Sequence, residues 1–119
     1  MEAKYVERRK IVARLLEERP ACEACKSLAG YREERVYTLR QSGDIHEIIN
    51  RSQGGDILEE SNLLAVCRTC HTWITSHPHE AQHVGLHLPS WADDDMFAEA
   101  AVLREKWARG EEAWASWLE

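Results

Sequence analysis

The chain has no run of about 18 apolar residues, the length a membrane-spanning helix needs, so no span is expected. The segment after Met1 is charged and lacks the apolar stretch of a secretory signal, which points to an intracellular, cytoplasmic location. No internal repeat and no low-complexity tract is present. Basic residues are short too: 15 Lys and Arg stand against 21 Asp and Glu, a net charge of −6. A balance of that sign argues against gripping duplex nucleic acid by bulk charge. Its distribution is uneven. Residues 1–19 carry +2, residues 20–91 carry −3 and residues 92–119 carry −5. Arg51, Arg68 and the N-terminal basic residues can still touch phosphate locally. At 119 residues the chain suits one small domain, whose limited core gains from a staple.

Cysteine is scarce but organised. The four cysteines fall into Cys22-x-x-Cys25 and Cys67-x-x-Cys70, leaving no odd thiol. Two-residue spacing lets both sulfurs of a pair turn onto one ion at about 2.3 Å, and two such pairs make a tetrahedral zinc site. Two disulfides would use the same residues but need an oxidising compartment. The 41 residues between Cys25 and Cys67 exceed the roughly 15–20 of a simple zinc ribbon. The ion would therefore close a long loop, and the contents of that loop should carry the function. They are Asp44-Ile45-His46-Glu47-Ile48-Ile49, Arg51-Ser52-Gln53-Gly54-Gly55 and Ser61-Asn62-Leu63, with His71 directly after the last cysteine.

Apolar spacing gives a coarse layout. Ile11, Val12, Leu15 and Leu16 share one face of a helix over 3–18, which Pro20 ends. Strands are expected at 34–39, across Ile45, Ile48 and Ile49, and at 62–66, with a loop at Gly54-Gly55-Asp56. A short helix over 68–76, closed by His77-Pro78, leads to a turn at 80–83 and a short strand at 84–88. Met96, Ala100, Leu103 and Trp107 recur at helical intervals, with Asp93, Asp94 and Asp95 at the positive end of that helix. Gly110 breaks it, and Trp114, Trp117 and Leu118 make a last amphipathic piece. The five tryptophans read most simply as core or docking residues. His77, His79, His83 and His87 are irregularly spaced and read as surface or core rather than as ligands.

Taken in order, the knuckle, the pieces D-I-H-E-I-I-N-R-S-Q-G-G and E-E-S-N-L-L-A-V-C, and the second knuckle C-R-T-C-H resemble the HNH endonuclease family. The resemblance covers about residues 20–78. The run from Glu47 to Leu88 is also similar to small HNH proteins of phage and prophage. It implies an α+β fold: a ββα-metal core stapled by the four-cysteine zinc site, with flanking N- and C-terminal helices. The expected organisation is an N-terminal helix at 1–19, an HNH domain with zinc knuckles at 20–90 and a helical extension at 91–119. The implied activity is hydrolysis of DNA phosphodiester bonds, with a structural Zn²⁺ and a divalent catalytic ion such as Mg²⁺, Mn²⁺ or Ni²⁺. The rival implication is a zinc-stabilised DNA-binding or packaging-accessory module with weak or no cleavage. In that case the acidic, Trp-rich tail would dock a partner such as a phage terminase or packaging protein.

By the same resemblance His71 is a metal ligand and Asn62 an orienting residue on the return strand. Aligning I-I-N-R-S-Q-G-G with the family's usual tail puts His46 at the ligand position. It puts Glu47 where most members carry a base histidine. Neighbours on a strand point to opposite faces unless a bulge or twist re-aims them. Glu47 therefore stands open as base, second ligand or outward-facing residue. Asp44, two residues before His46 and on its face, could add a ligand. Thr75 stands one helical turn after His71, where some members place another histidine. Arg51 and Arg68 are the candidate DNA contacts.

Overall fold

A computed structural model of the chain describes residues 3–111 and 116–118. Trp114, assigned above to the terminal amphipathic piece, lies outside the described residues. The architecture is α+β. Helices α1 (Ala3–Glu18) and α2 (Cys25–Tyr31) precede strand β1 (Asp44–Glu47), which pairs antiparallel with β2 (Leu63–Val66). Helices α3 (Arg68–Ser76), α4 (Pro78–His83) and α5 (Asp94–Ala108) follow. No described helix is long and apolar enough to cross a membrane.

The expected helices at 3–18 and 68–76 form with those bounds. Leu15 is fully buried, with Ile11, Val12 and Leu16 half-buried beside it. The turn at 80–83 is a full helical turn because Pro78 opens α4 at its first position, where a missing N–H costs nothing. Asp93 caps α5, its carboxylate accepting from the Met96 backbone N–H at 2.9 Å.

Two expected strands are absent. Residues 34–39 form an irregular excursion in which Val36 is 90% exposed. The β-prone triplet Val36-Tyr37-Thr38 has no apolar partner row to pack against. Residues 84–88 keep the alternation of a strand, with Val84, Leu86 and Leu88 buried, but no ladder forms. Only Leu88 N–H reaches Ile48 O, at 3.0 Å. Burial here is supplied by helices, so alternation reports a buried face and not a sheet. The first strand also stops at Glu47, before Ile48 and Ile49. Asn62 lies in a 3-10 turn (Glu60–Asn62) just ahead of β2 rather than in the strand.

Of two core clusters among the described residues, the smaller centres on Leu103 with Trp107, Trp117 and Leu118, and the larger runs through the molecule. It joins Cys22, Cys25 and Leu28 to Ile48, Leu64, Val66 and Ile74, and continues to Val84, Leu86, Met96 and Ala100. The C-terminal helix α5 is part of this core. Its main partner is α2. Gly30 of α2 sits so close that a Cβ there would lie 1.7 Å from the Trp107 carbonyl oxygen. Ser27 Oγ donates to Arg104 O, and Trp107 Nε1 donates to His83 O. The apolar face of Met96, Leu103 and Trp107 is thus met within the chain.

Candidate metal cluster and active-site cleft

The two cysteine pairs converge. All four cysteines are buried, and their sulfurs lie within 4.8 Å of one another. Cys25 Sγ is 3.9 Å from Cys67 Sγ and 3.7 Å from Cys70 Sγ. A tetrahedron with arms of about 2.3 Å has edges of about 3.8 Å, so the spacing fits one four-coordinate ion. Local backbone prepares each knuckle. Ala24 N–H points at Cys22 Sγ and Cys70 N–H at Cys67 Sγ, both at 3.4 Å. Cys22 is tied in place through its N–H to Arg40 O, and Glu23 bridges both backbone groups of Ala65 in β2. Bonding from the Cys70 thiol pulls Cys22 down to about 5, and that same bond pushes Cys70 up. Burial raises Cys25 to about 11. These thiols would have to lose their protons on binding a cation, so loading is coupled to pH. The cluster could hold a metal ion, and four thiolates are consistent with structural zinc.

A separate cleft of about 470 Å³ lies at the end of β1. His46, Glu47, Arg51, His71 and Thr75 line it, all of them expected near a site from the sequence. His46 is buried, and its Nε2 meets Leu86 O at 2.5 Å. A carbonyl only accepts, so Nε2 carries the proton and Nδ1 is left as an acceptor. Burial pushes its pKa down to about 4, so the ring is neutral at pH 7. His71 opens the cleft side of α3. Its Nδ1 lies 3.1 Å from Asp44 Oδ2, which leaves Nε2 available. The two rings are 5.6 Å apart between centroids.

Asp44 is engaged by His71 and also by Arg68 Nε at 2.7 Å. Burial works to raise its carboxyl, but the bonds from His71 and Arg68 outweigh that and hold it below the usual range. Arg68 is 83% exposed and meets Asp44 at the surface. Glu47 receives Arg51 Nη2 at 2.6 Å and Arg8 Nη2 at 2.9 Å. Burial again raises the carboxyl, and the arginines more than offset it, so Glu47 is held ionised. Ile45, His46 and Glu47, three successive residues of β1, all line the cleft, so strand alternation does not sort them to opposite sides of it.

Asn62 is 3% exposed and fastens the loop between the strands. Its Oδ1 accepts from Ile49 N–H at 2.7 Å, and its Nδ2 donates to Ile49 O and Asp56 O, both at 3.1 Å. The loop it closes needs the two glycines. Gly54 has φ +90°, and a Cβ on Gly55 would lie 1.8 Å from Ile49 O. Asn62→Ala should strand the two buried backbone groups of Ile49 and free the part-buried Asp56 O, and each unmet buried group costs about 1–3 kcal/mol. We expect a loss on the order of 2–3 kcal/mol in urea unfolding at constant metal content. A midpoint unchanged from wild type would mean that the loop is held by other contacts.

Two ionisable cleft residues were not placed at this site by the sequence, although Arg8 belongs to the N-terminal basic group read as able to touch phosphate. Arg8 arrives from α1, 39 positions before Glu47, and no local pattern marks it. His87 also lines the cleft. The buried alternation of Val84, Leu86 and Leu88 was the available signal that His87 faces the other way. His77 lies outside this lining: its Nδ1 donates to Trp73 O, and its ring stacks on Trp73. Thr75 bonds back to His71 O and Thr72 O.

Comparison with protein-family models, curated proteins and solved structures gave no match. Fold and site together define an α+β protein with a four-cysteine cluster that could hold a metal ion.

Proposed function

We propose that the chain is a metal-dependent endonuclease of the HNH type, with a ββα-metal core built from β1, β2 and α3 and stapled by Zn²⁺ on Cys22, Cys25, Cys67 and Cys70. One observation carries this reading: His46 and His71 share a cleft, and each has one ring nitrogen tied to an acceptor with the other left free. Ligating histidines are oriented in this way, the second nitrogen donating to a carbonyl or carboxylate. Leu86 O does this for His46 and Asp44 for His71. Asp44 then acts through His71 rather than on the ion directly.

A divalent ion such as Mg²⁺, Mn²⁺ or Ni²⁺, held by His46 and His71, would supply Lewis-acid stabilisation of charge building on the scissile phosphate. Glu47 stands beside this pair as the group to accept a proton from the attacking water. Water oxygen bonds to phosphorus, the bond to the 3′ oxygen breaks, and that oxygen leaves as a hydroxyl after taking a proton. The products are 3′-hydroxyl and 5′-phosphate ends. Asn62 keeps the Ile49–Asp56 loop in place beneath the site. Arg51 and Arg68 are the proposed DNA contacts.

The second reading is a DNA-binding or packaging-accessory module with little cleavage. It is favoured by the two arginines on Glu47, which lower the basicity of the very side chain that would be the base. Nicking of supercoiled plasmid with each divalent ion decides between them. We expect nicking by wild type and a loss of about 10²–10⁴ in rate for Glu47→Gln, the usual contribution of a general base. Equal rates for the two proteins would remove Glu47 from that role. No nicking with any ion would favour the module.

A further inference from the structure

The carboxylate of Glu47 occupies a ready-made anion site. Four N–H donors converge on it: Arg51 N at 3.1 Å, Arg51 Nε at 3.2 Å, Arg51 Nη2 at 2.6 Å and Arg8 Nη2 at 2.9 Å. Arg51 thus meets both carboxylate oxygens with the fork of its guanidinium. The same fork fits phosphate oxygens, which is why arginine recurs at phosphate sites. Arg8 is the fixed half. Its side chain is 12% exposed, and its Nη1 is anchored on Ile57 O at 2.8 Å. Arg51 is the more exposed half, 47% exposed on the 3-10 turn Arg51–Gln53, where it also meets Tyr5.

Charge points the same way. Glu47 is the one carboxylate among the residues lining the cleft, against Arg8 and Arg51. These three leave a surplus of +1 in a chain whose net charge is −6. A phosphodiester carries the charge that balances it.

We propose that Arg8 and Arg51 form a seat for one phosphate group of a nucleic-acid backbone, with Glu47 as the resident anion that the phosphate displaces from Arg51. This rests on the reading of the cleft as a DNA site but not on cleavage. Displacement exchanges one anion for another on the same donors, and Arg51 follows its new partner from a half-exposed turn. Helix α1 is then part of the binding surface through Arg8, and Glu47 is freed from one arginine only when the seat is filled.

The test is binding of a short fluorescent DNA duplex by anisotropy, with zinc-loaded protein and no added divalent ion, across a salt series. Arg51→Ala should weaken binding by about tenfold and reduce the log–log salt slope by about one, as loss of one phosphate contact does. Glu47→Gln removes the competing anion and should tighten binding by about threefold to tenfold, the scale of roughly 1 kcal/mol. Arg8→Lys, which keeps charge and loses the fork, should fall between wild type and Arg51→Ala. Circular dichroism and zinc content serve as fold controls. Weaker binding in Glu47→Gln would overturn the proposal in favour of a purely structural ion pair, and so would an unchanged Arg51→Ala. If wild type ignores DNA, inorganic phosphate is the second arm. A rise in melting temperature with phosphate in wild type but not in Arg51→Ala would keep the seat and reject the nuclease reading, whereas no rise would reject the seat.

Discussion

His71→Ala is expected to abolish nicking while leaving the cysteine-bound zinc in place. The two sites are adjacent in sequence, since His71 follows Cys70, yet they face different spaces. Cys70 Sγ points into the buried cluster, and the His71 ring lines the cleft with His46. Removing the ring takes away one of two proposed ligands and releases Asp44 to Arg68 alone. Lewis-acid stabilisation is worth several kcal/mol, and each 1.36 kcal/mol is tenfold in rate, so a loss of about 10²–10⁴ or more is expected. The measurement is plasmid nicking at saturating divalent ion, paired with zinc determination on the same sample. Retained zinc with lost nicking is the expected pair. Wild-type nicking by His71→Ala would place the catalytic ion elsewhere.

Cys67→Ser is expected to have the larger effect on folding. Cys67 joins the cluster at one end of β2, and its sulfur also accepts the Cys70 N–H at the start of α3. Apparent zinc affinity at four-thiolate sites corresponds to about 10–16 kcal/mol at pH 7, which matches or exceeds the roughly 5–15 kcal/mol that separates most folded domains from their unfolded chains. Loss of one thiolate therefore removes both the ion and cooperative unfolding. Metal analysis should fall from about one zinc per chain, the stoichiometry of a single closed site, to near none. The thermal transition should broaden or vanish. A sharp transition in a zinc-free variant would show that the core alone carries the fold.

Helices α1 and α3 were legible in the sequence because each buries one stripe, and stripe spacing is a local property. The cysteine cluster was legible because CxxC fixes the geometry of each half and four thiols fit one ion. The same reasoning failed at 34–39, where β-prone residues found no neighbour, and at 84–88, where alternation reflected one face buried in the core with no strand beside it. Strand pairing depends on a partner that local pattern does not name.

The cleft divides in a similar way. By itself the sequence determined which chemistry is present: histidines 46 and 71, Glu47, Asn62 and Arg51, with thiols to close the loop that holds them. It could not determine that Glu47 enters the cleft, because alternation would send it away from His46, whereas Ile45, His46 and Glu47 all line that space. Nor could it determine what surrounds these groups. Arg8 reaches Glu47 across 39 positions, and Leu86 O reaches His46 across 40. Only tertiary structure decided those pairings. Ionisation and orientation depend on burial and on the nearest charge or acceptor in space, and those neighbours are chosen by the packing of α1 and of the 84–88 segment around β1.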